Sequence, residues 1–131
     1  MSTDEQGPRQ PATDRNPEPR DMLTIASRVT GDRTILTVEG ELDLYTAPVL
    51  REQVLTTSDE AGSRLIVDLT GVPFMDSSGL GVIVACLKRL RESGGDLALV
   101  TAPGSPPSKL LSLTGLDRAI PTSSTPDEAL R

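Results

Sequence analysis

The stretch that decides the fold is RLIVDLTGVPFMDSSGLGVIVACLKRL, residues 64–90. Leu65-Ile66-Val67-Asp68-Leu69 is short and mostly apolar, with Gly62 before it and Gly71 and Pro73 after it, which predicts a buried strand at the centre of a sheet. Beyond the polar turn Asp76-Ser77-Ser78-Gly79 the period changes. Leu80, Ile83, Val84, Leu87 and Leu90 recur at offsets of 0, 3, 4, 7 and 10, which draws one stripe along a helix. Lys88, Arg89 and Arg91 complement the dipole at its end, and Ser93-Gly94-Gly95 stops it. A buried strand feeding a helix in this way is the unit of α/β organisation.

Working outward toward the N-terminus, Leu23, Ile25 and Val29 recur at even spacing, Gly31-Asp32 signals a turn, and Thr34 to Glu39 is rich in β-branched residues. These residues predict a hairpin. Gly40-Glu41-Leu42-Asp43 then leads into Thr46, read as the N-cap of a helix with Pro48 in its first turn and Leu50, Val54 and Leu55 facing inward. On the C-terminal side, Leu97 to Val100 predicts a further strand, and Pro106 opens a short helix that Gly115 closes. Ala119-Ile120 predicts a weak last strand, and Thr125-Pro126-Asp127-Glu128 has the spacing of a capping box before a terminal helix. The expectation is an α/β fold in which an N-terminal hairpin feeds a mixed, mostly parallel sheet of four to five strands, with about four helices. Residues 1–20 hold Pro8, Pro11, Pro17 and Pro19 among seven charged residues and almost nothing to bury, so they read as a disordered proline-rich tail before a domain spanning 22–131.

Composition narrows the function. The 131 residues contain no His, which removes Ser-His-Asp and Cys-His catalysis and the commonest metal ligand together; Lys, N-terminal Thr, carboxylate and Tyr chemistry stay open, and the expectation is a chain that is not an enzyme, with no catalytic residues and no metal. No cofactor is expected either. Aromatic residues make up only 2%, so the core must be aliphatic and base-stacking platforms are not expected. A net charge of -6 argues against nucleic acid or an anionic membrane as partner and points to proteins or small ligands. Cys86 is the sole cysteine, read as a small buried hydrophobe in a reducing cytoplasm. The longest apolar run, Gly79 to Leu87, falls far short of the roughly 20 residues a bilayer requires, and no signal-peptide pattern opens the sequence, so a cytoplasmic protein is expected.

The polar turn carries the chemistry. A Ser or Asp before a helical stripe is by itself an N-cap. Two adjacent hydroxyls followed by Gly79 and Gly81 also leave the helix entrance open to an approaching partner. At about 100° per residue, Ser78, Val82, Ala85 and Arg89 fall on the face opposite Leu80 and Leu87, where Val82 and Ala85 read either as tolerated surface aliphatics or as a shallow apolar platform beside the serines. A phosphate on Ser77 would add roughly -1.5 to -2 charges beside Asp76, tolerable at a helix N-terminus but repulsive to a partner carboxylate or apolar group packed there. Two other readings use the same turn. The strand-loop-helix from Val67 to Gly81 offers a helix N-terminus to a small ligand or nucleotide, but without a phosphate-binding glycine motif and with Asp76 in the way. A serine hydrolase would need Gly-x-Ser-x-Gly and a histidine, and both are missing.

At Val67-Asp68-Leu69, Phe74-Met75-Asp76-Ser77-Ser78-Gly79-Leu80-Gly81-Val82 and Gly40-Glu41-Leu42-Asp43, the sequence resembles the anti-sigma factor antagonists of bacteria, whose fold is the STAS domain. The resemblance covers approximately residues 22 to 130. It implies partner switching: the unphosphorylated form binds an anti-sigma factor that is also a serine kinase, and so releases a sigma factor for transcription. Phosphorylation of Ser77, with Ser78 as the second candidate, ends binding, and a serine phosphatase restores it. The implied contact surface is Asp43, Thr46, Asp76, Ser78, Gly79, Leu80, Gly81 and Val82. The alternatives implied by the same fold are a STAS module that binds a small ligand or nucleotide, and a structural subunit of another assembly.

Overall fold

The computed structural model describes residues 18–131. The expected tail therefore lies, over residues 1–17, outside the described residues, and its last part forms a helical turn, α1 (Pro19–Met22). Strands β1 (Thr24–Thr30) and β2 (Arg33–Glu39) make the hairpin predicted from the Gly31-Asp32 turn, antiparallel and in register from Thr24 opposite Glu39 to Thr30 opposite Arg33. Helix α2 (Ala47–Ala61) returns the chain to β3 (Arg64–Gly71), which pairs parallel with β2 and with β4 (Asp96–Val100). Helix α3 (Ser77–Glu92) makes the crossover between β3 and β4. Helix α4 (Pro106–Thr114), a 3₁₀ turn (Leu116–Arg118), the two-residue strand β5 (Thr122–Ser123) and the single-turn helix α5 (Pro126–Ala129) complete the fold. The strand order is β1-β2-β3-β4-β5, so the apolar run Leu65–Leu69 does lie at the centre of the sheet.

One face of the sheet, through Leu36, Val38, Leu65, Val67, Leu69, Leu97 and Leu99, packs with Leu50 and Val54 of α2 and Leu80, Ile83, Leu87 and Leu90 of α3 into the aliphatic core. Each such side chain contributes roughly 1.5–3 kcal/mol by leaving water. The other face carries a smaller cluster, Ile35, Ile66 and Val100, against which Ala129 and Leu130 pack. The stripe of α3 is rotated slightly from its expected centre: Val84 is only half-buried, while Cys86 is 2% exposed.

Two expectations are corrected. Ala119 and Ile120 do not form the last strand, because their N–H groups both donate to the Leu116 carbonyl and close a turn. The strand follows at Thr122–Ser123, paired with Leu99 and Val100. Thr46 occupies the N-cap position of α2, but its hydroxyl does not cap the helix. It donates instead to the Glu41 carbonyl at 2.7 Å and accepts from the Asp43 N–H at 3.0 Å, tying down the loop that precedes the helix. The Asp43 carboxylate accepts from the N–H groups of Tyr45 and Thr46 at 2.9 and 3.0 Å.

Candidate functional site

Asp76 begins α3. Its backbone is extended, with φ -107° and ψ -173°, and its Oδ1 accepts from the N–H groups of Ser78 at 2.8 Å and Gly79 at 3.2 Å. The capping role open to an Asp or a Ser thus falls to the aspartate, which satisfies two of the helix's orphan donors. Ser77 becomes the first helical residue. Its side chain is exposed, and none of the hydrogen bonds among the described residues uses its hydroxyl. Ser78, one residue on, is half-buried. Of the two candidate acceptors, Ser77 is the more accessible.

The segment Gly40-Glu41-Leu42-Asp43 is stitched to this turn. The Leu42 N–H donates to the Phe74 carbonyl at 2.9 Å and the Asp76 N–H donates to the Leu42 carbonyl at 3.2 Å, a short parallel bridge between Leu42 and Met75. Leu42 also lies under the first turn of α3. A Cβ on Gly79 would stand 2.7 Å from Leu42 Cγ and 3.0 Å from the Leu42 carbonyl oxygen, so only glycine allows the two segments to close. Two motifs distant in sequence form one surface as a result. Gly40 is held in the same way at the other end of its segment: with φ +117°, its missing Cβ makes room for the Met22 carbonyl.

The predicted contact residues divide by burial. Ser77 and Gly81 are exposed, and Asp43, Asp76, Ser78 and Val82 are half-buried and reachable. Thr46 at 0% exposure, Leu80 at 7% and the buried Gly79 lie beneath the surface rather than on it. Gly81 has nothing within 4 Å of its would-be Cβ, which leaves the backbone open to close approach. Sequence reading missed the apolar side chains around this turn. Leu44 is 76% exposed, and Tyr45 and Phe74 are 47% exposed, all on the two segments that the Leu42 bridge joins. The available signal was three large apolar residues placed in loops rather than on a helical or strand stripe.

Asp76 already occupies the N–H groups that a ligand phosphate would take at this helix terminus, which removes the geometric basis of the nucleotide reading there. Among the described residues, no group of three or more His, Cys, Asp or Glu side chains is placed to hold a metal ion, and no helix is long and apolar enough to cross a membrane. Burial pushes the Cys86 thiol up to about 11, offset in part by Arg51, which favours the protonated thiol near neutrality.

A family model described as the STAS domain matches residues 24–129. The chain belongs to the STAS domain family. This STAS domain is 44% identical over 62 residues to an anti-sigma-B factor antagonist of Bacillus subtilis, a match covering 47% of this chain and 56% of that protein, so the aligned part spans little more than half of the relative. An anti-sigma F factor antagonist of Paenibacillus polymyxa is 36% identical over 92 residues, 66% of this chain and 74% of that one. Among solved structures, an anti-sigma factor antagonist from Mycobacterium paratuberculosis superposes with a TM-score of 0.75 at 29% identity, covering 84% of this chain and 92% of that one. The mixed five-stranded sheet with its N-terminal hairpin is thus the STAS fold expected from the sequence.

Proposed function

We propose that this STAS domain is an anti-sigma factor antagonist of the bacterial cytoplasm, controlled by phosphorylation at Ser77. One observation carries the reading: the Ser77 hydroxyl stands exposed in the first turn of α3 and, among the described residues, has no hydrogen-bond partner, because Asp76 does the capping. Relatives named as anti-sigma-B and anti-sigma F factor antagonists support it. The unmodified surface, with Asp43, Asp76, Ser78, Gly81 and Val82 flanked by Leu44, Tyr45 and Phe74, binds an anti-sigma factor that is also a serine kinase, and the sigma factor is released. Thr46, Gly79 and Leu80 hold that surface in shape from below.

The kinase transfers the γ-phosphoryl of ATP to Ser77 Oγ, releasing ADP and the hydroxyl proton, and a serine phosphatase hydrolyses the ester to reset the cycle. The added charge of roughly -1.5 to -2 lies beside Asp76, on a surface whose apolar rim the partner must desolvate, so binding ends by repulsion and desolvation without a change of fold. This domain acts by binding and leaves the chemistry to its partners.

Incubation with ATP and an anti-sigma kinase that binds the unmodified chain adds one phosphate, which peptide mass spectrometry locates on Ser77. A phosphate found elsewhere, or none with a kinase active on a control substrate, refutes the assignment.

A further inference from the structure

The outer face of α3 does not end at the serines. Ser78, Val82, Ala85 and Arg89 continue along one stripe, and at Ala85, about 12 Å from Ser77 along the helix axis, the stripe runs into a groove between α2 and α3. That groove encloses about 250 Å³, with Leu55, Ala85 and Cys86 among its lining residues and the cations Arg51, Lys88 and Arg89 around it; Glu92 is the sole acid among the residues that line it. Arg51, Lys88 and Arg89 are all exposed. The ion pairs among the described residues are Arg64 with Asp32 and Arg91 with Asp96, so none of the three groove cations is paired. In a chain of net charge -6, a groove with three unpaired cations and one acid is a local reversal of sign.

We infer that this groove is a second docking point for the partner, and that it receives an acidic segment in which carboxylates flank an apolar side chain. The inference rests on the proposed function, because the groove is continuous with the surface around Ser77. A single protein footprint of ordinary size, about 800 Å² per partner, spans both. Each part has a distinct role. The Ser77 turn is the switch. The groove supplies attraction that phosphorylation touches little, since Lys88 and Arg89 lie about 16–18 Å along α3 from Ser77, beyond the roughly 8–10 Å over which exposed charges act on one another at physiological salt. An acidic segment fits because cations with an apolar floor take a carboxylate on the rim and a methyl-bearing side chain beneath it, and charge complementarity of this kind raises the association rate and falls with salt.

Two readouts test the inference independently. The first is a titration of the ¹⁵N-labelled chain with the peptide acetyl-Asp-Glu-Leu-Asp-Glu-Leu-amide, followed by amide shifts. The expected result is saturable change confined to residues 51–55 and 85–92, lost in Arg51→Gln/Lys88→Gln/Arg89→Gln and weakened by salt. The second is calorimetry with the anti-sigma kinase, in which the triple variant binds roughly tenfold more weakly than the parent, with an unchanged thermal transition and a shallower salt dependence. Ser77→Asp is the control. If Ser77→Asp weakens kinase binding while the triple variant binds like the parent, the groove inference is overturned and the switch reading stands. If Ser77→Asp and Ser77→Ala bind alike, the switch reading fails, and the peptide titration still decides the groove. Peptide shifts centred away from the groove, or unchanged in the triple variant, overturn the inference.

Discussion

At the scale of single residues, the two glycines that flank Leu80 look alike in sequence and do different things. Gly79 permits the approach of Leu42, whose Cγ would lie 2.7 Å from an added methyl, and Gly81 faces open space. Gly79→Ala should therefore cost about 1–3 kcal/mol in urea unfolding, the scale of overpacking. Gly81→Ala should stabilise by about 0.5–1 kcal/mol, since the site sits inside a helix where glycine is the poorer residue. The motif was legible in the sequence, but this division was not, because it depends on a contact with a residue in another loop. Cys86 was legible. A small apolar residue on a helical stripe reads as core, and it is 2% exposed. Its thiol, raised by burial from 9.0 to about 11, binds its proton more tightly in the folded chain than in the unfolded one. Stability should be insensitive to this group below pH 9 and fall as pH rises from 9 toward 11, where the unfolded thiol ionises first. Replacing Cys86 by Val should flatten that part of the stability profile.

At the scale of elements, α3 shows how a strong period fixes a helix while its end is set by one carboxylate. Asp76→Ala removes the acceptor for two N–H groups and should lower stability by about 1 kcal/mol, read as a shifted denaturation midpoint at constant slope. The hairpin, the central strand and helices α2 to α4 were legible because each has its own local signal, either alternation, an apolar run or a 3.6-residue stripe. The misplaced elements lack one. Strand β5 is two residues long and exists only through pairing with Leu99 and Val100, so Ala119-Ile120 looked equally strand-like. Thr46 has the residue type and place of an N-cap, yet its hydroxyl turns back to Glu41, an arrangement that depends on how the loop folds over the sheet. The exposed Leu44, Tyr45 and Phe74 were missed for a related reason: sequence shows that a residue is apolar, not that nothing covers it.

At the scale of the molecule, the mixed sheet holds the Ser77 turn on a packed base. Leu42, Met75, Gly79 and Leu80 beneath the turn are buried, and backbone hydrogen bonds from Leu42 to Phe74 and from Asp76 to Leu42 lock the neighbouring segments together. Such a base has few ways to respond to a phosphate by moving. On the proposed reading, a change of surface charge is the means by which a phosphate on Ser77 Oγ would alter what the domain binds. Calorimetric titration of an anti-sigma kinase with the stoichiometrically phosphorylated chain, and with the same chain after phosphatase treatment, tests this most directly. The expected result is that the phosphate weakens binding by roughly a hundredfold or more, about 2.7 kcal/mol, and that dephosphorylation restores it in full. Equal affinity of the two forms would contradict it.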